Sequence, residues 1–446
     1  MATLEILHWN DVHGRFAALA RLSARAGSIR EAAGHPVLVF DGGDVEDASV
    51  RLSAMTYGVA GWRLLGAARV DAAVVGNGGI LRYGPGVLPD YADALGSPPL
   101  LCDVTRDGAV PHGAAASRLV SAGDLTVGVI GATDYYPQYD AFGLREEGRV
   151  TVVRSQADVL RAAGADVVVL LSHCGIHQDR GISWALRGKV DLIVGGHSHD
   201  VLEAGDVDHG VPIAQAGWNG DWLGRITIQL DRDGVRVASM SLEAVSGEAP
   251  ADQLVIEALA SAERDLAAWL AEPVAMLPEA ISWSECGDSP VARLVAAALL
   301  DAQPGEVGLL IAAQCSAGLP AGRVTRGDVW AATSSPANPA TATLTGAQLR
   351  SVLTQGLSAE YSATVPRTFR GRPYGRLHMI GVETDGDTFR MNGEPLDESR
   401  RYRITASDTE LSSYGRLLPA DPADLRLYTP TILPEVLESY LRRAYG

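Results

Sequence analysis

Between Met1 and Asp200, apolar runs alternate with clusters of polar donors, and this alternation restricts the fold more than any other feature of the chain. The runs cover residues 4–7, 37–40, 72–75, 125–130, 167–171 and 192–194. Short continuous runs rich in β-branched residues suit strands buried on both faces. Segments of helical periodicity lie between them, at residues 16–33, 54–68 and 155–164, which together predict an α/β domain. Most of the polar clusters follow directly on an apolar run. They are Asp11-Val12-His13, Gly43-Asp44, Gly76-Asn77-Gly78-Gly79, Ser172-His173-Cys174 and Gly196-His197-Ser198-His199. The C-terminal ends of strands are where α/β proteins assemble their sites.

Carboxylate, amide and imidazole donors are the set that divalent Mn, Zn, Fe or Mg accept. Two such cations roughly 3.5–4 Å apart repel strongly, so a dinuclear site needs a bridging anion, and Asp44 is the candidate. Asp11 and His13, two residues apart after a strand, can turn towards one cation together. His197 and His199 share that spacing behind Gly195-Gly196, whose glycines permit a tight turn. One such pair carries little weight, because a lone histidine is more often structural. Five strand-end clusters in one chain make a metal centre the better reading.

At 446 residues the chain exceeds one ordinary core, and two domains are expected. A shift in pattern near residue 245 places the first at 1–245 and a linker helix at 246–278, the helical pattern running from 248 to 276. The second domain, 279–446, carries helices at 291–301 and 345–355 and strands at 307–312, 378–383 and 401–406. The formal net charge of −17 opposes phosphate-backbone binding, which argues against nucleic acid and anionic membrane as partners. Cys102, Cys174, Cys286 and Cys315 are too scattered for a disulfide framework and are expected to be reduced. The sequence opens on a strand with no basic and apolar leader, and no apolar run approaches spanning length, so a cytoplasmic location is expected.

The combined motifs resemble the 5'-nucleotidase family of calcineurin-like metallophosphoesterases. The resemblance rests on His8-Trp9-Asn10-Asp11-Val12-His13-Gly14, Asp41-Gly42-Gly43-Asp44, Gly76-Asn77, Leu171-Ser172-His173-Cys174 and Gly195-Gly196-His197-Ser198-His199-Asp200. It continues through Gln215-Ala216-Gly217, Leu344-Thr345-Gly346-Ala347-Gln348-Leu349 and Asn392-Gly393-Glu394-Pro395-Leu396-Asp397. It implies a four-layer α/β/β/α metallophosphoesterase sandwich followed by an α/β substrate domain. It also implies two divalent metal ions, one held by Asp11, His13 and His199 and the other by Asn77, His173 and His197, with Asp44 bridging. The expected partner is a small phosphorylated substrate, a nucleotide or a nucleotide derivative.

The chain departs from the family on the substrate side. Family members follow the asparagine ligand with His-Glu or His-Asp, and an aspartate a few residues later orients that histidine. Here Gly78-Gly79-Ile80-Leu81-Arg82-Tyr83 follows, with Gly78 at the histidine position and no carboxylate close by in the sequence. Arg82 and Tyr83 are the neighbouring groups able to donate to a phosphate or leaving group, although Tyr83 before the Gly84-Pro85 turn fits a packing residue equally well. In the second domain the family's Asn-Gly-Gly-x-Arg motif is replaced by Ala312-Ala313-Gln314-Cys315-Ser316-Ala317-Gly318, and its base-stacking rings fall on Leu377 and on the stretch 412–417, where Tyr414 is the only ring. A Pro- and Gly-containing segment with Arg367, Phe369, Arg370, Arg372, Tyr374 and Arg376 reads first as a solvated loop, with an anion-binding set as the alternative. Three readings follow: a phosphoesterase with altered substrate choice or low activity, a catalytically impaired metal- or nucleotide-binding protein, or a structural or interaction protein that retains only the fold.

Overall fold

In the computed structural model, which describes residues 2–366, 372–385 and 388–446, all six apolar runs of the first half lie in or begin strands. They build two five-stranded mixed sheets. The first runs Gly234–Ala244, Trp222–Asp231, Ala2–Trp9, Val37–Asp41, Ala72–Ala73, and its last three strands are parallel. The second runs Ile213–Ala214, Leu192–Gly195, Val167–His173, Leu125–Thr133, Ser117–Ala122, parallel except at its last pairing. Antiparallel strands therefore occur only towards one edge of each sheet.

Alternation along each strand explains why the runs are apolar throughout. Val167, Val169 and Leu171 point into a core shared with Leu4, Ile6, Leu38 and Phe40 of the facing sheet. Val168 and Leu170 point the other way, against Val153, Ala157 and Leu160 of the helix Arg149–Ala162 and Leu186 of the helix Ile176–Leu186. The helix Phe16–Ala32 packs on the strand Trp222–Asp231 of the first sheet. The unit is thus layered helix, sheet, sheet, helix. One predicted helix, 54–68, is broken into Arg51–Met55 and Val59–Ala67, because Tyr57 (φ 53°) and Gly58 (φ 84°) leave the right-handed region.

The chain divides into the compact units Met1–Leu266 and Ala267–Gly446. The expected linker helix over 246–278 is shorter than its pattern. The helix spans Gln253–Leu270, and Pro273–Leu277 is a strand paired with Gly322–Thr325. Pro273 supplies the reason, since proline lacks the amide hydrogen a helix needs and forces its predecessor out of the α region. Beyond it, Val274, Ala275 and Leu277 are buried as strand residues of the second unit.

That unit is built on the sheet Leu377–Ile380, Val307–Ile311, Arg401–Ser407, Pro339–Thr345, Arg426–Leu427. Leu309 and Ile311 pack with Leu349 and Leu353 on one face, and Leu310 packs with Val295, Leu299 and Leu437 on the other. The helix Gly346–Gly356 is opened by a capping box in which Thr345 and Gln348 satisfy each other's backbone amides. All four cysteines are free, with Cys102, Cys174 and Cys315 buried and Cys286 exposed. Among the described residues, no helix is long and apolar enough to cross a membrane.

His378 makes the stability of the second unit depend on pH. It is buried, and its Nε2 accepts the Ser289 amide at 2.8 Å, so the ring is held neutral. Burial lowers its pKa to about 4 from the ordinary 6.5. The unfolded chain takes up a proton first, so this contribution is complete above pH 6.5 and is lost as pH falls towards 4. We expect a loss of roughly 2–3 kcal/mol across that window. Denaturation midpoints at stepped pH should show a shallower slope for His378→Gln than for the wild type, and equal slopes would refute the assignment.

Candidate metal centre

The C-terminal ends of the parallel strands of both sheets converge, and the donor clusters meet there. Asp11 and His13 follow Ala2–Trp9, Asp44 follows Val37–Asp41, and Asn77 opens the helix Asn77–Tyr83 after Ala72–Ala73. His173 is the last residue of Val167–His173, and His197 and His199 follow Leu192–Gly195. Donor atoms of Asp11, His13 and His199 lie within 4.8 Å of one another, as do those of Asp11, Asp44 and His173. The Asn77 side-chain oxygen lies 3.2 Å from His173 Nε2 and 2.8 Å from His197 Nδ1. The structure therefore brings all seven predicted donors together.

The backbone at these positions is itself strained. Asp11, His13, Asp44, His197 and His199 all have positive φ, between 47° and 76°. Each such non-glycine residue costs on the order of 1 kcal/mol, and such residues persist where the surroundings over-determine them, commonly at functional sites. At Gly43 (φ 94°) a side chain is excluded twice over, since a Cβ there would stand 2.6 Å from His173 Nδ1. That closeness lets the imidazole reach the Gly42 carbonyl, to which Nδ1–H donates at 2.7 Å, leaving Nε2 to face the donor cluster.

Asp11 tests whether a cation fits. Its Oδ2 accepts from the Asn10 amide at 2.7 Å and from the His197 backbone at 2.8 Å. Its Oδ1 is buried without a hydrogen bond and points to His199, His13 and His173 at 3.3, 3.5 and 3.9 Å. A carboxylate oxygen orphaned among three imidazoles fits a bound cation. Electrostatics agree. Burial opposes charge on His173, yet the Asp44 and Asp11 carboxylates outweigh it and raise its pKa to about 10. Burial is likewise outweighed at Asp11 by the His173 charge, which holds that carboxyl far below its usual range.

Sequence reasoning missed a layer behind these donors. His197 Nε2 faces the Asp134 carboxylate at 3.7 Å. Asp134 accepts from Gln178 at 2.6 Å, Gln178 accepts from Arg149, and Arg149 pairs with Asp103 at 2.5 Å. Asp134 stands immediately after the strand Leu125–Thr133, so the strand-end rule could have found it. The Tyr139 hydroxyl donates to the Asn77 carbonyl at 3.2 Å and braces that ligand loop. Asp179 is buried in the helix Ile176–Leu186 and accepts from Ser172 at 2.5 Å.

Other expectations change on the substrate side. A Cβ on Gly78 would lie 3.1 Å from Asp44 Oδ1, so the residue at position 78 borders the centre and its glycine leaves that space open. The chain carries no carboxylate near Gly79 in sequence, but the fold supplies one, because the Glu46 carboxyl fills the space that a Gly79 Cβ would need. Burial, with the Asp44 charge, raises the Glu46 pKa to about 8. Tyr83 is a wall residue, buried and edge-on to Tyr57 at 5.5 Å. Arg82 lies half-buried in the last turn of the same helix.

Of the proposed anion-binding set, Arg367, Phe369 and Arg370 lie outside the described residues. Arg372 donates to the Cys315 carbonyl at 2.6 Å and faces Glu285, and Arg376 is exposed. Tyr374 is a core residue rather than a ligand surface, being 1% exposed and stacked on Tyr361 at 4.8 Å. Tyr414 is exposed, and Leu377 is buried.

Two family profiles match this chain, the calcineurin-like phosphoesterase at residues 4–201 and the 5'-nucleotidase C-terminal domain at residues 273–416. The chain belongs to the 5'-nucleotidase family of calcineurin-like metallophosphoesterases. Members of this family are phosphoesterase hydrolases, and calcineurin-like phosphoesterases use divalent metals. The chain is 26% identical to the uncharacterized metallophosphoesterase YunD of Bacillus subtilis, over 97% of this chain and 98% of that one. It is 25% identical to the 5'-nucleotidase of Bos taurus over 53% of this chain, and it spans about half (48%) of that protein's length. The fold is shared with the Thermus thermophilus 5'-nucleotidase precursor (TM-score 0.54, 19% identity, 99% and 97% of the two chains). It is shared also with the Haemophilus influenzae NAD nucleotidase (TM-score 0.57, 14% identity, 99% and 96%).

Two predictions follow from this geometry. His173 carries a proton up to about pH 10 in the metal-free protein and must lose it to ligate, so metal binding near pH 7.5 should release about one proton from it. Affinity then rises with pH, and calorimetry in buffers of different ionisation enthalpy measures the release; none would refute it. Removing the charge behind His197 with Asp134→Asn should weaken Mn binding roughly 10–100-fold, read by chelator competition.

Proposed function

We propose that this chain is a metal-dependent phosphoesterase that acts on small phosphorylated substrates with good leaving groups. The observation that carries the reading is the convergence of seven donors, five of them on left-handed backbone, around one orphaned carboxylate oxygen. Asp11, His13 and His199 would hold one divalent ion and Asn77, His173 and His197 a second, with Asp44 between them; Mn, Zn, Fe and Mg all suit these donors. Such ions polarise a phosphoryl oxygen and lower the pKa of water.

The chain's own residues do the rest. Asn10 and the His197 amide hold Asp11 so that only Oδ1 faces the cluster. The Gly78 amide donates to Asp44 Oδ1 at 2.9 Å and fixes that carboxylate. Gly42 and Asp134 orient His173 and His197 from behind. No side chain at position 78 protonates the leaving group, and loss of a general acid costs ~10²–10⁴-fold in rate. Substrates whose leaving group is already a stable anion suffer least, which favours phosphoanhydrides and activated diesters over nucleoside monophosphates. The open position 78 also favours a second reading, a metal- or nucleotide-binding protein with little turnover.

Assays with Mn against bis-p-nitrophenyl phosphate, p-nitrophenyl phosphate, nucleoside triphosphates and AMP separate these readings. We expect activity on activated diesters and anhydrides, AMP turned over at least tenfold more slowly, and loss of activity in Asp44→Asn. Bound metal without turnover across the panel supports the second reading, and a preference for AMP contradicts the substrate assignment.

A further inference from the structure

Trp218 stands beside the metal centre in a position its own packing does not explain. Its indole stacks on the His199 imidazole, with centroids 4.9 Å apart and planes 13° from parallel, yet the residue is 47% exposed. Burying a large ring stabilises a fold, and here much of that gain is forgone.

The backbone holds the ring in place from both sides. The Gly217 carbonyl accepts from the Asn10 side chain at 2.6 Å, and the Asn219 amide donates to the Asp11 carbonyl at 2.8 Å. Both anchors belong to the loop that carries the first donor cluster. Gly217 (φ 67°) and Asn219 (φ 57°) are both left-handed, so Trp218 is presented from a tight, strained turn. Across the centre, the half-buried Tyr136 ring stands 6.4 Å from the His197 ring. Aromatic rings therefore flank the two histidines of the Gly196-His197-Ser198-His199 cluster.

The second unit offers less. Tyr374 is committed to its stack on Tyr361, and Leu377 is buried. Resting on the phosphoesterase reading, we propose that Trp218 is a specificity residue whose exposed indole stacks with the planar aromatic part of a phosphoester substrate, an aryl group or a nucleobase. One face of the indole meets His199, and a flat leaving group would cover exposed ring surface while its phosphate lies among the donors. Stacking of this kind tolerates different rings, because every aromatic group presents a π-face.

The test compares an aromatic substrate with a non-aromatic one that also has a good leaving group, p-nitrophenyl phosphate against tripolyphosphate. Trp218→Ala should lower the ratio of their kcat/KM values roughly tenfold, through KM for the aromatic substrate, and Trp218→Phe should restore most of it. An equal loss on both substrates, or lost metal content in Trp218→Ala, would show that the ring merely holds His199 and would overturn the proposal. An unchanged ratio overturns it as well. Binding of p-nitrophenylphosphonate, followed by quenching of indole fluorescence, gives a readout without turnover. Quenching in the wild type should exceed that in Trp218→Phe, and equal quenching sinks the proposal. If the wild type hydrolyses neither substrate, the phosphoesterase reading fails while the quenching still decides the role of Trp218. AMP in the same binding assay separates a nucleobase from a simple aryl group.

Discussion

The confrontation of two buried carboxylates with one buried imidazole governs this structure. Asp11 and His173 are fully buried and Asp44 nearly so, and His173 Nε2 lies 3.3 Å from Asp44 and 3.9 Å from Asp11. Two negative charges in an apolar interior are unfavourable unless positive charge lies between them. In the metal-free protein a proton on His173 supplies part of it, and divalent cations are the stronger complement. Around this core of charge, the chain gives up backbone comfort at five donor positions and side-chain volume at Gly43. Those costs are borne by the two packed sheets, whose apolar strands set the rigid edges from which the donors project.

Behind the donors lies a supporting layer that reads as one continuous network. Asp134, Gln178, Arg149 and Asp103 link the His197 side of the centre to the strand Leu125–Thr133 and the helices that cover it. Gly42 does the same for His173, and Asn10 for Asp11. Such partners orient a ligand by choosing which ring nitrogen or carboxylate oxygen faces inward. The substrate side is built differently. Position 78 presents no side chain, Glu46 occupies the space beside Gly79, and Tyr374 is drawn into the core.

Much of this was legible in advance, for identifiable reasons. Strands buried on both faces have no polar side to show, so their runs stand out and their ends are marked by the first polar residues. The places of Asp11, Asp44, Asn77, His173 and His197 at or just beyond strand ends were readable in that way. The broken helix at Tyr57-Gly58 and the strand Pro273–Leu277 were less legible, because helical periodicity persists across a left-handed turn and across a proline. The burial of Asp179 left no mark in the sequence, because its bond to Ser172 depends on packing.

By itself the sequence marked the α/β pattern of the first unit and the polar clusters at its strand ends, since both follow from local alternation between apolar runs and polar residues. Only the tertiary structure decided what surrounds them. Glu46 reaches Gly79 across 33 residues of chain, Asp134 reaches His197 across 63, and Trp218 is pinned to the loop of Asp11 across 207. Contacts at such separations leave no periodic trace, because they depend on how two sheets pack and not on the pitch of either strand.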